Sequence, residues 1–115
     1  MTENRRYQRN ELMQILGVYL IIPVRGEERM KVKDINGEGL AFYAMAGLKY
    51  DPGDTIQAYF HITDKIKLSL TLKVVYTEDD SEGTRVGCEA QDLSTPAMTA
   101  FGDFSRFIRS LSQIY

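Results

Sequence analysis

The sequence predicts a mostly all-β domain, a six-stranded antiparallel β-barrel with a C-terminal α-helix packed against it. Three observations lead there. A period of two between apolar and polar residues recurs along most of the chain, most clearly where Ile66, Leu68, Leu70, Leu72, Val74 and Tyr76 alternate with Lys65, Lys67, Ser69, Thr71 and Lys73. Turn-forming clusters break that alternation at short intervals. After Leu93-Ser94 the period changes from that of a strand to that of a helix. Closing the strands into a barrel removes the unpaired edges that an open sheet would expose.

The elements follow in order. Over 14–24, Leu16, Val18, Leu20 and Ile22 oppose Ile15, Tyr19 and Ile21, which describes a strand covered on both faces. Arg25-Gly26-Glu27-Glu28 is a polar turn. Met30 and Val32 then alternate with Arg29, Lys31 and Lys33 as a second strand, completing a hairpin. Asp34-Ile35-Asn36-Gly37-Glu38-Gly39 interrupts that strand, since Asn-Gly favours the positive backbone dihedrals of a tight turn. Leu40 to Ala44 is a third strand. Asp51-Pro52-Gly53-Asp54 places Pro and Gly as a type II turn requires. Thr55 to Ile62 is a fourth strand, with Ile56, Ala58, Phe60 and Ile62 on one face. The fifth is the alternating run around Leu70, with the Tyr76 side buried. Asp79 to Gly83 is a solvated hairpin tip, and Val86, Cys88 and Ala90 mark a sixth strand. Thr95 is a suitable N-cap and Pro96 a suitable first helical residue. Ala97, Phe101, Phe104, Ile108 and Leu111 then recur at helical spacing, as a stripe docked on the barrel.

Composition narrows the function. The 115 residues suffice for one domain and one core, and a 43% hydrophobic, 26% charged content is that of an ordinary globular protein. No apolar run is long enough to span a bilayer, and no apolar segment directly follows the charged N-terminus as in a signal peptide. A single cysteine, Cys88, allows no internal disulfide, which fits a reducing cytoplasm. A net charge of -2 argues against a protein that coats nucleic acid. A small barrel binding single strands would interleave basic and aromatic residues. Lys65, Lys67 and Lys73 line one strand face with no aromatic residue among them there.

Little supports catalysis. His61, the lone histidine, falls on the polar side of the fourth strand and reads as a surface residue, while Cys88 reads as a small buried side chain. No zinc or phosphate-loop signature occurs. Asp34-x-Asn36-x-Glu38-Gly39 imitates the start of a calcium-binding EF-hand loop. The glutamate needed at the twelfth position is replaced by Met45, and flanking helices are missing. What stands out is Arg5-Arg6-Tyr7-Gln8-Arg9, three guanidinium groups within five residues on a mildly acidic chain. Such a cluster asks for an anionic partner.

Together, the two polar segments resemble the motifs of the PilZ domain family. Arg5-x-x-x-Arg9 is similar to the family's RxxxR, and Asp34-x-Asn36-x-x-Gly39 to its [D/N]xSxxG, with Asn36 where the family has Ser. Pro52-Gly53-Asp54 before a strand, and Arg85 to Leu93 before the helix, echo further family habits. The resemblance implies a PilZ-type barrel over 13–94, a mobile arm carrying RxxxR over 1–12 and a helix over 95–115. It implies a non-catalytic effector that binds cyclic di-GMP, a bacterial second messenger, as a ligand, with no cofactor and no metal. Arg5 and Arg9, with Arg6 as a helper, would hold phosphate or a guanine edge bidentately or stack on a base. Asp34 would accept from guanine N–H groups, Asn36 would bond a phosphate or base through its amide, and Gly39 would let backbone approach closely. Ordering of the arm would then change the surface offered to an unidentified downstream protein. The alternative is a PilZ-like barrel that binds no cyclic di-GMP and serves as an interaction module in pilus, flagellar or motility function.

Overall fold

In a computed structural model the described residues are 16–25, 29–36, 38–92 and 94–114. Six antiparallel strands, β1 (Tyr19–Ile21), β2 (Met30–Asn36), β3 (Gly39–Tyr43), β4 (Thr55–Ile62), β5 (Ile66–Asp80) and β6 (Gly83–Ala90), form a closed barrel in the order β1-β2-β3-β6-β5-β4. One helix, α1 (Pro96–Ile114), follows. The predicted fold class is thus the observed one, mostly β with a single C-terminal helix.

β1 is much shorter than the alternation over 14–24 suggests. Gly17 takes a positive φ of 71° just before it, and Pro23 opens a 3-10 turn, Pro23–Arg25, just after. Its three residues nonetheless close the barrel, because Tyr19 pairs with both Lys31 of β2 and His61 of β4. β4 behaves as its sequence indicates, with Ile56, Ala58 and Phe60 inside and Gln57 exposed.

Two departures from regular pairing matter most. In β2 the register shifts between Val32 and Asp34, so Lys33 is an extra residue against β3. Strict alternation would send Asp34 inward with Met30 and Val32. The bulge hands the inward position to Ile35, which is 1% exposed, and turns Asp34 out. The Asp34-to-Gly39 segment therefore does not interrupt a strand. It holds the end of β2 and the start of β3, with Asn36 paired to Gly39. In β5 a second shift falls between Val74 and Tyr76. Leu70, Leu72 and Val74 are buried, but Tyr76, expected on that same inner face, is 40% exposed. A bulge at Val75 has reversed the phase.

α1 begins as expected. The Thr95 hydroxyl accepts the Met98 N–H at 3.2 Å, and the Thr95 carbonyl accepts the Thr99 N–H at 3.0 Å. Met98, Phe101, Ser105 and Ile108 form its buried stripe, and Phe101 meets Phe60 of β4 edge-to-face at 5.2 Å between ring centres. Met98 and Ser105 were absent from the stripe read in the sequence, in which Ala97 and Leu111 stand at the margins.

Candidate ligand-binding site

The two bulges turn residues onto one outer surface. Asp34 pairs with Ala41, Ala41 with Gly87, and Gly87 with Tyr76, so these four residues form a single row across β2, β3, β6 and β5. At roughly 4.8 Å between strands the row spans about 14 Å. Its middle members are the two smallest residue types, so the row is a trough. Ala41 and Gly87 are the floor, Asp34 stands at one side, and from the other side Tyr76 lays its ring over Gly87. A cavity of about 300 Å³ lies over it, lined also by Gly39, Val75 and Arg85.

Close packing explains the glycines. A Cβ on Gly87 would fall 2.0 Å from Cε1 of Tyr76, so the ring lies directly against the Gly87 backbone. A Cβ on Gly39 would fall 2.5 Å from the carbonyl oxygen of Cys88, a backbone atom that cannot step aside. Gly39 is thus required for β3 to approach β6, whatever else it does.

The charges in the trough are held in place. Arg85 donates from Nε to the Tyr76 hydroxyl at 3.2 Å. Burial by itself would lower the Arg85 pKa, but that bond and the neighbouring Tyr76, Asp34 and Tyr43 outweigh it and raise the pKa. Arg85 is therefore a permanent cation. Asp34 is 7% exposed, and one carboxylate oxygen accepts the N–H of Ile35 at 2.9 Å. The trough thus offers an aromatic ring, a fork of guanidinium donors and an oriented carboxylate within one cavity. Glu38 and Glu89 also line it and add negative charge at its rim. Cys88, beneath the floor, is inert, because burial pushes its thiol up to about 12.

Of the residues singled out from the sequence, Asp34 and Gly39 line this cavity. Asn36 lies in β2 opposite Gly39, in the same hairpin. Arg5, Arg6 and Arg9 lie outside the described residues. Tyr76, Arg85 and Gly87 were not among the expected site residues, although Arg85 to Leu93 carries part of the family resemblance and the alternation puts Tyr76 on the inner face. Gly87 was the available signal: a glycine within an alternating strand marks a close backbone approach.

Other readings change with the register known. Asp34 to Gly39 is a β-hairpin, which has no place for the helices of an EF-hand. The tip at Asp79 to Glu82 is solvated but structured, with the Tyr43 hydroxyl donating to Asp80 at 2.5 Å and Lys33 pairing with Glu82 at 3.3 Å. His61 is half-buried and stacks on Tyr19, the ring centres 4.5 Å apart. Burial, reinforced by Lys67 and Arg29, lowers its pKa, so it is neutral at pH 7. Lys67 also has an aromatic companion after all, since the neighbouring strand places Tyr59 4.4 Å from its ammonium.

Comparison with known proteins agrees with this architecture. The chain is similar to the alginate biosynthesis protein Alg44 of Pseudomonas syringae pv. tomato, at 30% identity over 91 residues, covering 74% of the chain and 23% of that protein. The chain therefore spans about a quarter of the length of this relative. Its fold is similar to that of the Bacillus subtilis inhibitor of motility, MotI/DgrA, with a TM-score of 0.66 and 16% identity over 85% of the chain and 48% of the other. The PilZ domain family matches from residue 3 to residue 107. Only the last turns of α1 and the first two residues fall outside that match, and the chain belongs to the PilZ domain family.

Proposed function

We propose that this chain is a non-catalytic regulatory domain that binds cyclic di-GMP in the trough between Asp34 and Tyr76. PilZ domains are non-catalytic binding and effector domains whose ligand is cyclic di-GMP. The observation that carries the reading to these residues is the Asp34–Ala41–Gly87–Tyr76 row, with Arg85 at its side. A cyclic dinucleotide presents flat bases, guanine N–H donors, O6/N7 acceptors and anionic phosphates. Tyr76 offers a ring for a base, Asp34 an acceptor for guanine N–H groups, and Arg85 a fork for a phosphate or an O6/N7 edge.

Arg5 and Arg9, with Arg6 assisting, complete the site from the N-terminal arm, residues 1–12, and Asn36 adds an amide donor at the hairpin. Arm ordering over the bound nucleotide then alters the surface met by a downstream protein. That one structural neighbour is an inhibitor of motility and one relative an alginate biosynthesis protein fits a regulatory output, without naming this chain's partner.

Calorimetric titration of the full chain with cyclic di-GMP tests the reading. Each charge-assisted bond is worth roughly 1.5–3 kcal/mol, so Arg9→Ala and Asp34→Ala are each expected to weaken binding about tenfold or more. Residues 1–10 should also gain protection from proteolysis at saturating ligand. Absence of binding by the natural chain, with binding gained by Asn36→Ser, would instead favour a barrel that has lost its ligand and acts only as an interaction module.

A further inference from the structure

The wall opposite the trough carries a different chemistry. In the closed strand order β1 lies across the barrel from β6, and β4 from β3. The outer faces of β1 and β4 therefore look away from the ligand row. There the register places Lys31, Tyr19, His61 and Lys67 in one line across β2, β1, β4 and β5. The Arg29 guanidinium sits 4.3 Å from the Tyr19 ring centre and pairs with Asp64 at 3.2 Å. Lys31, Lys65 and Lys67 are exposed; Asp64 pairs with Arg29 and Glu82 lies near Lys31, so among the described residues cations outnumber acids along this line.

An apolar recess adjoins the cationic line. The 3-10 turn lies against β4, and a cavity of about 330 Å³ is lined by Pro23, Val24, Gln57, Ala58, Tyr59 and Ser69. Val24 at its lip is 80% exposed, the most exposed of the large apolar side chains among the described residues. A lone exposed valine means little. One at the mouth of an apolar recess bordered by cations is a place for an amphipathic chain.

We propose that this wall docks an acidic segment of a partner protein, with an aliphatic side chain in the recess at Val24 and Tyr59 and carboxylates on Lys31 and Lys67. Charge complementarity selects the acidic partner, and the recess selects a polypeptide. Nucleic acid is disfavoured because the ring faces a base would use are already occupied, Tyr19 by His61 and Arg29, and Tyr59 by Lys67. The chain's net charge of -2 opposes a polyanion as well. The inference is independent of the nucleotide reading, since it uses no residue of the trough.

Fluorescence anisotropy of the full chain with a labelled peptide of alternating leucine and glutamate tests it, with labelled oligothymidylate as the competing polyanion. Lys67→Glu and Val24→Glu are each expected to weaken peptide binding about tenfold, while Lys73→Glu, outside the line on the same strand, changes it less than about threefold. All three sites are exposed, and thermal denaturation followed by circular dichroism checks that each variant folds. Equal losses at Lys67 and Lys73, no effect at Val24, or no peptide binding at all would overturn the proposal. Tighter binding of the oligonucleotide than the peptide, lost in the same variants, would overturn it in favour of a nucleic-acid surface.

Discussion

Replacing Gly87 by alanine separates the trough from the barrel that carries it. The added Cβ would lie 2.0 Å from Cε1, 2.4 Å from Cζ and 2.6 Å from Cδ1 of Tyr76. Ordinary contact between carbon atoms begins near 3.5 Å, so the ring must move by roughly 1.5 Å or swing to another rotamer. Gly87 does not adopt a positive φ, so the backbone itself tolerates alanine. Tyr76 is 40% exposed and can move into solvent, which limits the stability lost to the 3.2 Å hydrogen bond from Arg85, about 0.5–1.5 kcal/mol. Stacking of a base on an aromatic ring is worth about 1–3 kcal/mol. Cyclic di-GMP affinity should therefore fall roughly 5- to 150-fold while the unfolding midpoint moves little. Calorimetry paired with thermal denaturation reads both quantities. Unchanged affinity would refute the placement of a base over Tyr76. A loss of stability above about 3 kcal/mol would show that the ring cannot yield, contrary to its exposure. Gly39→Ala is the contrasting case, since its obstacle is the Cys88 carbonyl, and it should cost about 1–3 kcal/mol of stability.

Three further outcomes follow from contacts remote from the trough. Thr95→Ala removes the acceptor for the Met98 N–H and should cost about 1 kcal/mol in chemical denaturation. Ser105 is 1% exposed with its hydroxyl unpartnered, so Ser105→Ala should leave stability unchanged or raise it by up to about 1 kcal/mol, measured the same way. The hydrogen bond from the Tyr43 hydroxyl holds the Asp80 carboxyl below its ordinary range, and the nearby Tyr43 hydroxyl together with Lys33 does the same for Glu82. Folded values below unfolded ones give stability that is present above the unfolded range, near pH 4, and lost as pH falls through the depressed values. Acid titration of wild type and Tyr43→Phe, followed by circular dichroism, should show the two curves converge at low pH and separate above it.

What the sequence made legible were features that depend on neighbours in the chain. The alternation in β4 and from Leu68 to Val74 and the Thr95-Pro96 helix start are local, and each occurs where its residue pattern puts it. The pattern failed where pairing between strands decides the outcome. The alternation does break there, with Asp34 on the inner phase of β2 and the apolar Val75 on the polar phase of β5, but a break alone does not say that the phase reverses, because the extra residue exists only relative to β3 or β6. The error at Tyr76 is therefore an error of register, and it hid one side of the candidate site. His61 lies on the outer face, as its phase indicates, but Tyr19, which half-covers it, is far away in sequence. The Asp34–Gly39 hairpin was found through its motif, and the structure adds the reason for its glycine, the approach of β3 to β6.

Two bulges aim Asp34 and Tyr76 into one trough on the β3–β6 side of the barrel, where cyclic di-GMP is proposed to bind. Backbone amide chemical shifts, followed during titration of the isotope-labelled full chain with cyclic di-GMP, show whether the nucleotide sits there. Saturable shifts are expected, largest at Asp34, Ala41, Gly87 and Tyr76, with Tyr19 and His61 on the opposite wall unmoved. Shifts confined to the β1–β4 wall, or none at saturating nucleotide, would contradict that placement.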